Sequence, residues 1–258
     1  MAHIFHSGRN ETPALAASSA FGKYRPETEQ GIRTPSEVKT DKVIENMKKI
    51  WKRCAKEEGL NVAGMGAWIH RLRYTPTDIE AFSIAIAEYQ YQKDFSDHMG
   101  FFLSSLINNC KGNEVTIHTA HLTERIDNLG FRNTKDITVK GNSGRKVGYG
   151  MKGGTITVEG NAGGDVGLLI DAGSIIVKGD SGVWVGRKME GGVIIIEGNT
   201  GEDVGYHMQG GEIHILGDSY KISNGVWAGK IFHGNDLVLD KIWDEKDNHE
   251  DPFDDYNG

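Results

Sequence analysis

The chain predicts a mainly β protein: a right-handed parallel β-helix of about six to seven coils, preceded by a small α-helical region. Three observations carry that expectation. A 19-residue repeat begins at Ile137, Ile156, Ile175, Ile194 and Ile213. Its first four copies share one outline, I-x-[VI]-x-G-[ND]-small-G-x-x-V-G-x-x-[MI]-x-[GA]-G-x, and the fifth keeps only the opening before Tyr220 and Asn224 replace its second and third glycines. The fourth position reads Lys140, Glu159, Lys178, Glu197 and Leu216, alternating in sign while it stays charged. Units this short cannot bury their own apolar faces, so they must stack. Coils in register sit ~4.8 Å apart, where like charges would repel and alternating ones do not.

Each element of the repeat has a local reason. The apolar pair at the first and third positions (Ile137/Val139, Ile156/Val158, Ile175/Val177, Ile194/Ile196) has the period of a strand. Gly followed by Asn or Asp, at Asn142, Asn161, Asp180, Asn199 and Asp218, reads as a corner, since these residue types tolerate left-handed backbone. Further apolar pulses at Val147, Val166, Val185 and Val204, then at Met151, Ile170, Met189 and Met208, read as second and third short strands. At ~3.3 Å per residue one copy gives a perimeter of roughly 60 Å, enough for a side-chain-filled interior.

The tandem G-xx-G-xxx-G spacing (Gly141/Gly144/Gly148, Gly160/Gly163/Gly167, Gly179/Gly182/Gly186, Gly198/Gly201/Gly205) resembles the C-terminal β-helix domain of the glutamate synthase large subunit. It is equally similar to the β-helix subunit of formylmethanofuran dehydrogenase and of the related formyltransferase/hydrolase complex. The resemblance covers about residues 113 to 235 and implies a non-catalytic spacer between catalytic parts of an oxidoreductase-type complex. It carries over no catalytic, cofactor-binding or metal residue.

Composition sets further bounds. The 258 residues fit one or two domains, and 35 glycines reflect the repeat. A net charge of -7 without a dense basic patch argues against nucleic acid. No apolar run reaches membrane-spanning length, and the N-terminus lacks a signal-peptide pattern. Cys54 and Cys110, the only cysteines, fit a reducing cytoplasm as buried thiols. The expected partners are therefore proteins or further copies of the chain, with no membrane, nucleic acid or cofactor.

Taken in order, residues 1–35 read as an extended arm, either disordered or laid on a partner; His3 and His6 there have no second feature of a metal site. Residues 36–111 read as about three helices. Ser36 to Glu58 carries a stripe of Val43, Met47, Ile50, Trp51 and Cys54, opposite Lys42, Lys48, Lys49, Lys52 and Arg53. Arg71 and Arg73 are candidates for partner contacts. Thr77-Asp-Ile-Glu80 reads as a capping box, and Gly112 as the stop of a helix from Ser96 to Asn109. Residues 112–240 form the β-helix, with an irregular first coil over Val115–Asp136. His118 and His121 have a metal-like spacing but would face opposite sides of a strand. A longer last coil and a closing strand fill Tyr220–Asp240. Residues 241–258 form an acidic tail expected to be disordered, whose Trp243, Phe253 and Tyr256 suit a basic partner as the less favoured reading.

Other motifs fall away. Gly148-Tyr-Gly-Met-Lys-Gly153 matches G-x-G-x-x-G but opens no helix, which a dinucleotide site requires. A Walker motif and calcium-binding nonapeptides are missing, and the hexapeptide acyltransferase pattern fails because the sixth step lands on Ser143, Ala162, Ser181 and Thr200. The leading expectation is a cytoplasmic, non-catalytic scaffold. Two alternatives remain: a free-standing oligomeric structural protein, or an enzyme with a site between the helical region and the coils, using His207, His214, Arg187 or Asp203.

Overall fold

The computed structural model describes residues 35–56, 62–218 and 220–242. The arm up to residue 34, with His3 and His6, and the tail from residue 243 lie outside the described residues. Among the described residues four α-helices come first: α1 (Pro35–Cys54), α2 (Val62–Ile69), α3 (Pro76–Ala85) and α4 (Phe95–Asn109), with a 3-10 turn over Ile86–Tyr89. Eight strands follow in one sheet whose spatial order is the chain order: β1 (Glu114–His118), β2 (Asp136–Lys140), β3 (Lys152–Val158), β4 (Ala172–Val177), β5 (Val193–Ile196), β6 (Glu212–Ile215), β7 (Gly229–His233) and β8 (Asp236–Lys241).

From β1 to β7 every pairing is parallel, so six turns of a β-solenoid separate them. The 19-residue period is the register itself: Ile137 lies opposite Ile156, then Ile175, Ile194 and Ile213. The first coil is irregular as expected, with Val115 opposite Ile137 across 22 positions. The last coil is not longer, as the sequence suggested, but one residue shorter, because Ile213 meets Ile231. β8 then turns back antiparallel on β7, which closes the sheet with a hairpin.

The coil differs from three strands and three corners in two ways. Each coil has one regular strand. Its second wall is built from left-handed residues at alternate positions: Asp165 (φ 60), Gly167 (φ 71) and Leu169 (φ 52) in one copy, and Trp184 (φ 63), Gly186 (φ 70) and Lys188 (φ 52) in the next. The alternation turns successive N–H groups to opposite neighbours, so Gly167 N–H donates back to Val147 while Asp165 N–H donates forward to Val183, both at 2.8 Å. Apolar side chains still point inward, and Val147, Val166, Val185 and Val204 are fully buried.

The Gly-Asn corner is also of another kind, since none of Asn142, Asn161, Asp180, Asn199 or Asp218 has positive φ. Their side chains form a ladder between coils. Asn161 N–H donates to Asn142 Oδ1, Asp180 N–H to Asn161 Oδ1, and Asn199 N–H to Asp180 Oδ1, each at 2.8 Å. Gly160, Gly179 and Gly198 make room for that oxygen: a Cβ on Gly160 would sit 2.5 Å from Asn142 Oδ1. The alternating column is in register and exposed, with Glu159 N–H bonded to Val139 O and Lys178 N–H to Val158 O. Among the described residues no ion pair joins Lys140, Glu159, Lys178 and Glu197, so the column avoids repulsion without adding bonded pairs.

The helices close the first end of the stack. α3 covers the outer edge of β1, where His118 N–H donates to Ser83 Oγ at 3.0 Å. α4 passes so near the first coil that a Cβ on Gly100 would collide with the backbone oxygen of Asp127. Ser104 Oγ there accepts from Gly130 N–H at 2.9 Å and donates to Gly100 O at 2.7 Å. Buried Trp51, Phe82, Phe102, Leu103 and Leu106 continue the apolar core of the coils. Helix α2 is the element that sequence reading omitted. Gly64 and Gly66 weaken its propensity, and burial of Met65 and Ile69 outweighs them. The capping box of α3 is Thr75 with Asp78, two residues earlier than expected, because Pro76 fits the first helical position and the cap must precede it. Gly112 does not stop α4, which ends at extended Cys110; Gly112 instead lies flat against Pro76.

Val166→Asp, which buries an unpaired charge between coils, should cost several kcal/mol and abolish the cooperative melting transition. Glu159→Lys, on the exposed column, should cost under ~1 kcal/mol. Thermal unfolding followed by circular dichroism distinguishes them, and an unchanged Tm for Val166→Asp would be incompatible with this packing.

Candidate functional site

The second wall carries the most chemically distinctive cluster among the described residues. Asp165 is fully buried at a left-handed position that an Asp tolerates. Its two carboxylate oxygens accept from two guanidiniums on flanking coils, Arg145 Nη2 to Oδ2 and Arg187 Nε to Oδ1, both at 2.7 Å. Such short charge-assisted bonds satisfy the carboxylate that burial would otherwise penalise. Trp184 lies one coil further on in the same column, with its ring centroid 5.4 Å from Arg187 and 6.0 Å from Arg145. A bulky residue at φ 63 is a conformational outlier costing roughly 1–2 kcal/mol, and its side chain remains 36% exposed. Two arginines gripping a buried aspartate under a half-open tryptophan thus span three consecutive coils.

The residues nominated from sequence do not form one site. Arg187 belongs to the cluster just described. Asp203 lies in the same column as Trp184, one coil on, also left-handed at φ 59. His207, 6% exposed, is stacked between Tyr206 (centroids 3.9 Å apart) and Trp227 (4.5 Å). His214 projects from the sheet instead, parallel to Phe232 at 4.4 Å, with Nε2 3.3 Å from Glu212. Two histidines on different walls cannot share a substrate atom.

His118 and His121 do not face opposite sides of one strand, because β1 ends at His118 and a turn follows. Helix α3 also brings a carboxylate, Glu80, whose Oε1 is 2.9 Å from His118 Nε2. Desolvation lowers the pKa of His121; a backbone bond with Ile84 opposes this and the nearby His118 adds to it. Among the described residues no group of three or more His, Cys, Asp or Glu is placed to hold a metal ion. Cys54 and Cys110 are buried, and no disulfide joins them.

The basic face of α1 is largely occupied within the fold. Lys48 bridges Glu45 and Glu88, Lys52 lies over Tyr89, and the Arg53 guanidinium is 4.3 Å from the Trp68 centroid. Arg71 and Arg73 are exposed. Gly148–Gly153 belongs to the second wall and the start of β3, not to a helix N-terminus. One groove of about 430 Å³ beside the C-terminal hairpin is open to solvent and lined by Glu212, Lys230, Asp240 and Lys241. No described helix is long and apolar enough to cross a membrane. No family model matches the chain, and no curated protein matches it.

Sequence reading missed Asp165, Arg145 and Trp184. Their signal was departure from the repeat: Trp184 replaces the Lys or Asp of its column, and Arg145 stands where other copies have Gly164, Val183 and Glu202. The clamp predicts an asymmetry in stability. Removing both arginines by Arg145→Ala with Arg187→Ala strands a buried carboxylate and should cost ~3–5 kcal/mol. Asp165→Asn keeps the backbone preference and leaves two guanidiniums that water can reach, so it should cost ~1–2 kcal/mol. Urea unfolding of both variants measures the order, and equal costs would contradict the clamp.

Proposed function

We propose that this chain is a non-catalytic β-solenoid scaffold that holds partner catalytic subunits of an oxidoreductase-type complex at a fixed separation in the cytoplasm. One observation carries the reading: the corner Asn and Asp side chains and the buried Asp165 are engaged in joining coil to coil. The corner Asn and Asp side chains bond the next coil, and Asp165 is shared between arginines of the coils on either side. Six in-register turns at ~4.8 Å make a stiff stack about 29 Å long, which suits a spacer. The resemblance of the G-xx-G-xxx-G coils to the β-helix parts of glutamate synthase and of formylmethanofuran dehydrogenase supports the same reading, since chemistry there resides on other domains or subunits.

Affinity purification of the full chain from its native source should bring down amidotransferase, flavin or molybdopterin subunits in fixed stoichiometry, and the chain by itself should show no glutaminase, glutamate synthase or formyl-transfer activity. Recovery of the chain alone as a defined oligomer would favour a free-standing structural protein. A stoichiometric cofactor, lost when His207 or His214 is replaced by Ala, would overturn the scaffold in favour of an enzyme.

A further inference from the structure

The strand wall has an outer face as regular as its inner one, and its chemistry changes along the stack. Burial alternates within each strand, so Ile175 and Val177 point inward while Ser174, Ile176 and Lys178 point outward. Register aligns the outward residues in three columns. The middle column passes from Thr138 and Thr157 to Ile176 and Ile195, then to His214 and Phe232. One flank carries Ser174, Val193, Glu212 and Lys230, with Asp136 two coils before Ser174. The other flank is the alternating column of Lys140, Glu159, Lys178 and Glu197, followed by Leu216. The helices meet the sheet at β1, and Ile176, Val193, Ile195 and Phe232 are only half-buried. A contiguous apolar patch with a charged border marks an interaction surface. Among the described residues, Lys178, Glu197 and Lys230 make no ion pair; Asp136 accepts from Thr155 N–H, and Glu212 lies 3.3 Å from His214.

A column that alternates in sign becomes its own complement when reversed. We propose that this face joins two copies of the chain, with their stacks antiparallel, about a two-fold axis that runs along the strands between β4 and β5. Ile176 then meets Ile195 of the second copy, Ser174 meets its Val193, and Lys178 meets its Glu197, each contact made twice by symmetry. Four isoleucines fill the centre and two charge pairs border it. Further out, Asp136 meets Lys230, Thr157 meets His214, and Thr138 meets Phe232 of the second copy. The unfavourable contacts lie away from the axis: Glu159 against Leu216, and Glu114 towards Asp240 at the far corners, where solvent screens them. The other two-fold, with the stacks parallel, gains Asp136 against Lys140 but sets Glu197 on Val193 inside the apolar patch and Glu212 on Leu216. The face is about 17 Å wide and 29 Å tall, so the pair covers roughly 1,000 Å² in total, at the lower limit of specific interfaces. The dimer does not rest on the scaffold reading. It leaves the second wall outside the contact, where a partner protein can still be held.

Sedimentation equilibrium of the purified full chain should show a dimer with a Kd in roughly the micromolar range. Lys178→Glu and Glu197→Lys should each raise that Kd at least about tenfold, because each sets like charges face to face twice. Mixed in equal amounts, the two variants should form a heterodimer whose Kd lies within about threefold of the unaltered chain's, since each reversal answers the other. The parallel arrangement predicts no such rescue. Ile195→Asp, at the centre of the patch, should leave the chain monomeric. All three positions point outward, so unchanged melting curves verify the folds, and the charge reversals keep the test decisive if Ile195→Asp does not fold. A chain that is monomeric at about 0.1 mM, a dimer indifferent to both reversals, or a mixture without rescue would each overturn the proposal.

Discussion

The spacing between adjacent coils, ~4.8 Å, governs nearly every residue choice in the solenoid. At that distance each backbone must bond both neighbours, and each side chain meets its counterpart 19 positions away before it meets most local neighbours. Glycine precedes the corner residue at Gly160, Gly179 and Gly198 because the side-chain oxygen of the preceding corner occupies the place of a Cβ, and at Gly217 because the preceding backbone does. Gly173, Gly211 and Gly229 leave room for the Met151, Met189 and Met208 methyl groups. Branched aliphatics stack in columns inside, and the exposed charged column alternates. The same constraint explains the ends. A stack in register offers an unpaired edge and an open core at each terminus. Here helices α3 and α4 cover one, while the antiparallel return of β8 finishes the other.

What could be read from sequence follows from this geometry. The period, the inner columns and the register were legible because stacking imposes one requirement on every copy. The corners were misread because Asn142 and its equivalents were judged by their own backbone, whereas their bonds go to the following coil. The second wall was taken for strands because apolar pulses report burial, and left-handed residues such as Leu169 or Lys188 leave no compositional mark. Helix α2 was invisible because tertiary burial overrode two glycines. The Asp165 clamp was hidden for a different reason: its members come from three coils, and each is an ordinary surface residue type until the stack aligns them.

The two kinds of wall therefore divide the work. The strand wall and the corners repeat closely and maintain the stack. The second wall, whose backbone shape recurs with unlike side chains, is where the copies became individual: Lys146, Asp165, Trp184 and Asp203 share one conformation across a cation, two carboxylates and an indole. A scaffold can thus change what it presents without altering its frame.

The alternating charged column has a consequence for how such a chain can lengthen. Lys140, Glu159, Lys178 and Glu197 make neighbouring copies unlike at this one position and next-nearest copies alike. Inserting a duplicate of a single copy beside its parent sets lysine on lysine or glutamate on glutamate. Inserting a tandem duplicate of two copies preserves the alternation throughout. At this position the solenoid is built from a two-coil unit, and growth by even numbers of coils is the route that keeps the charged column compatible with its neighbours.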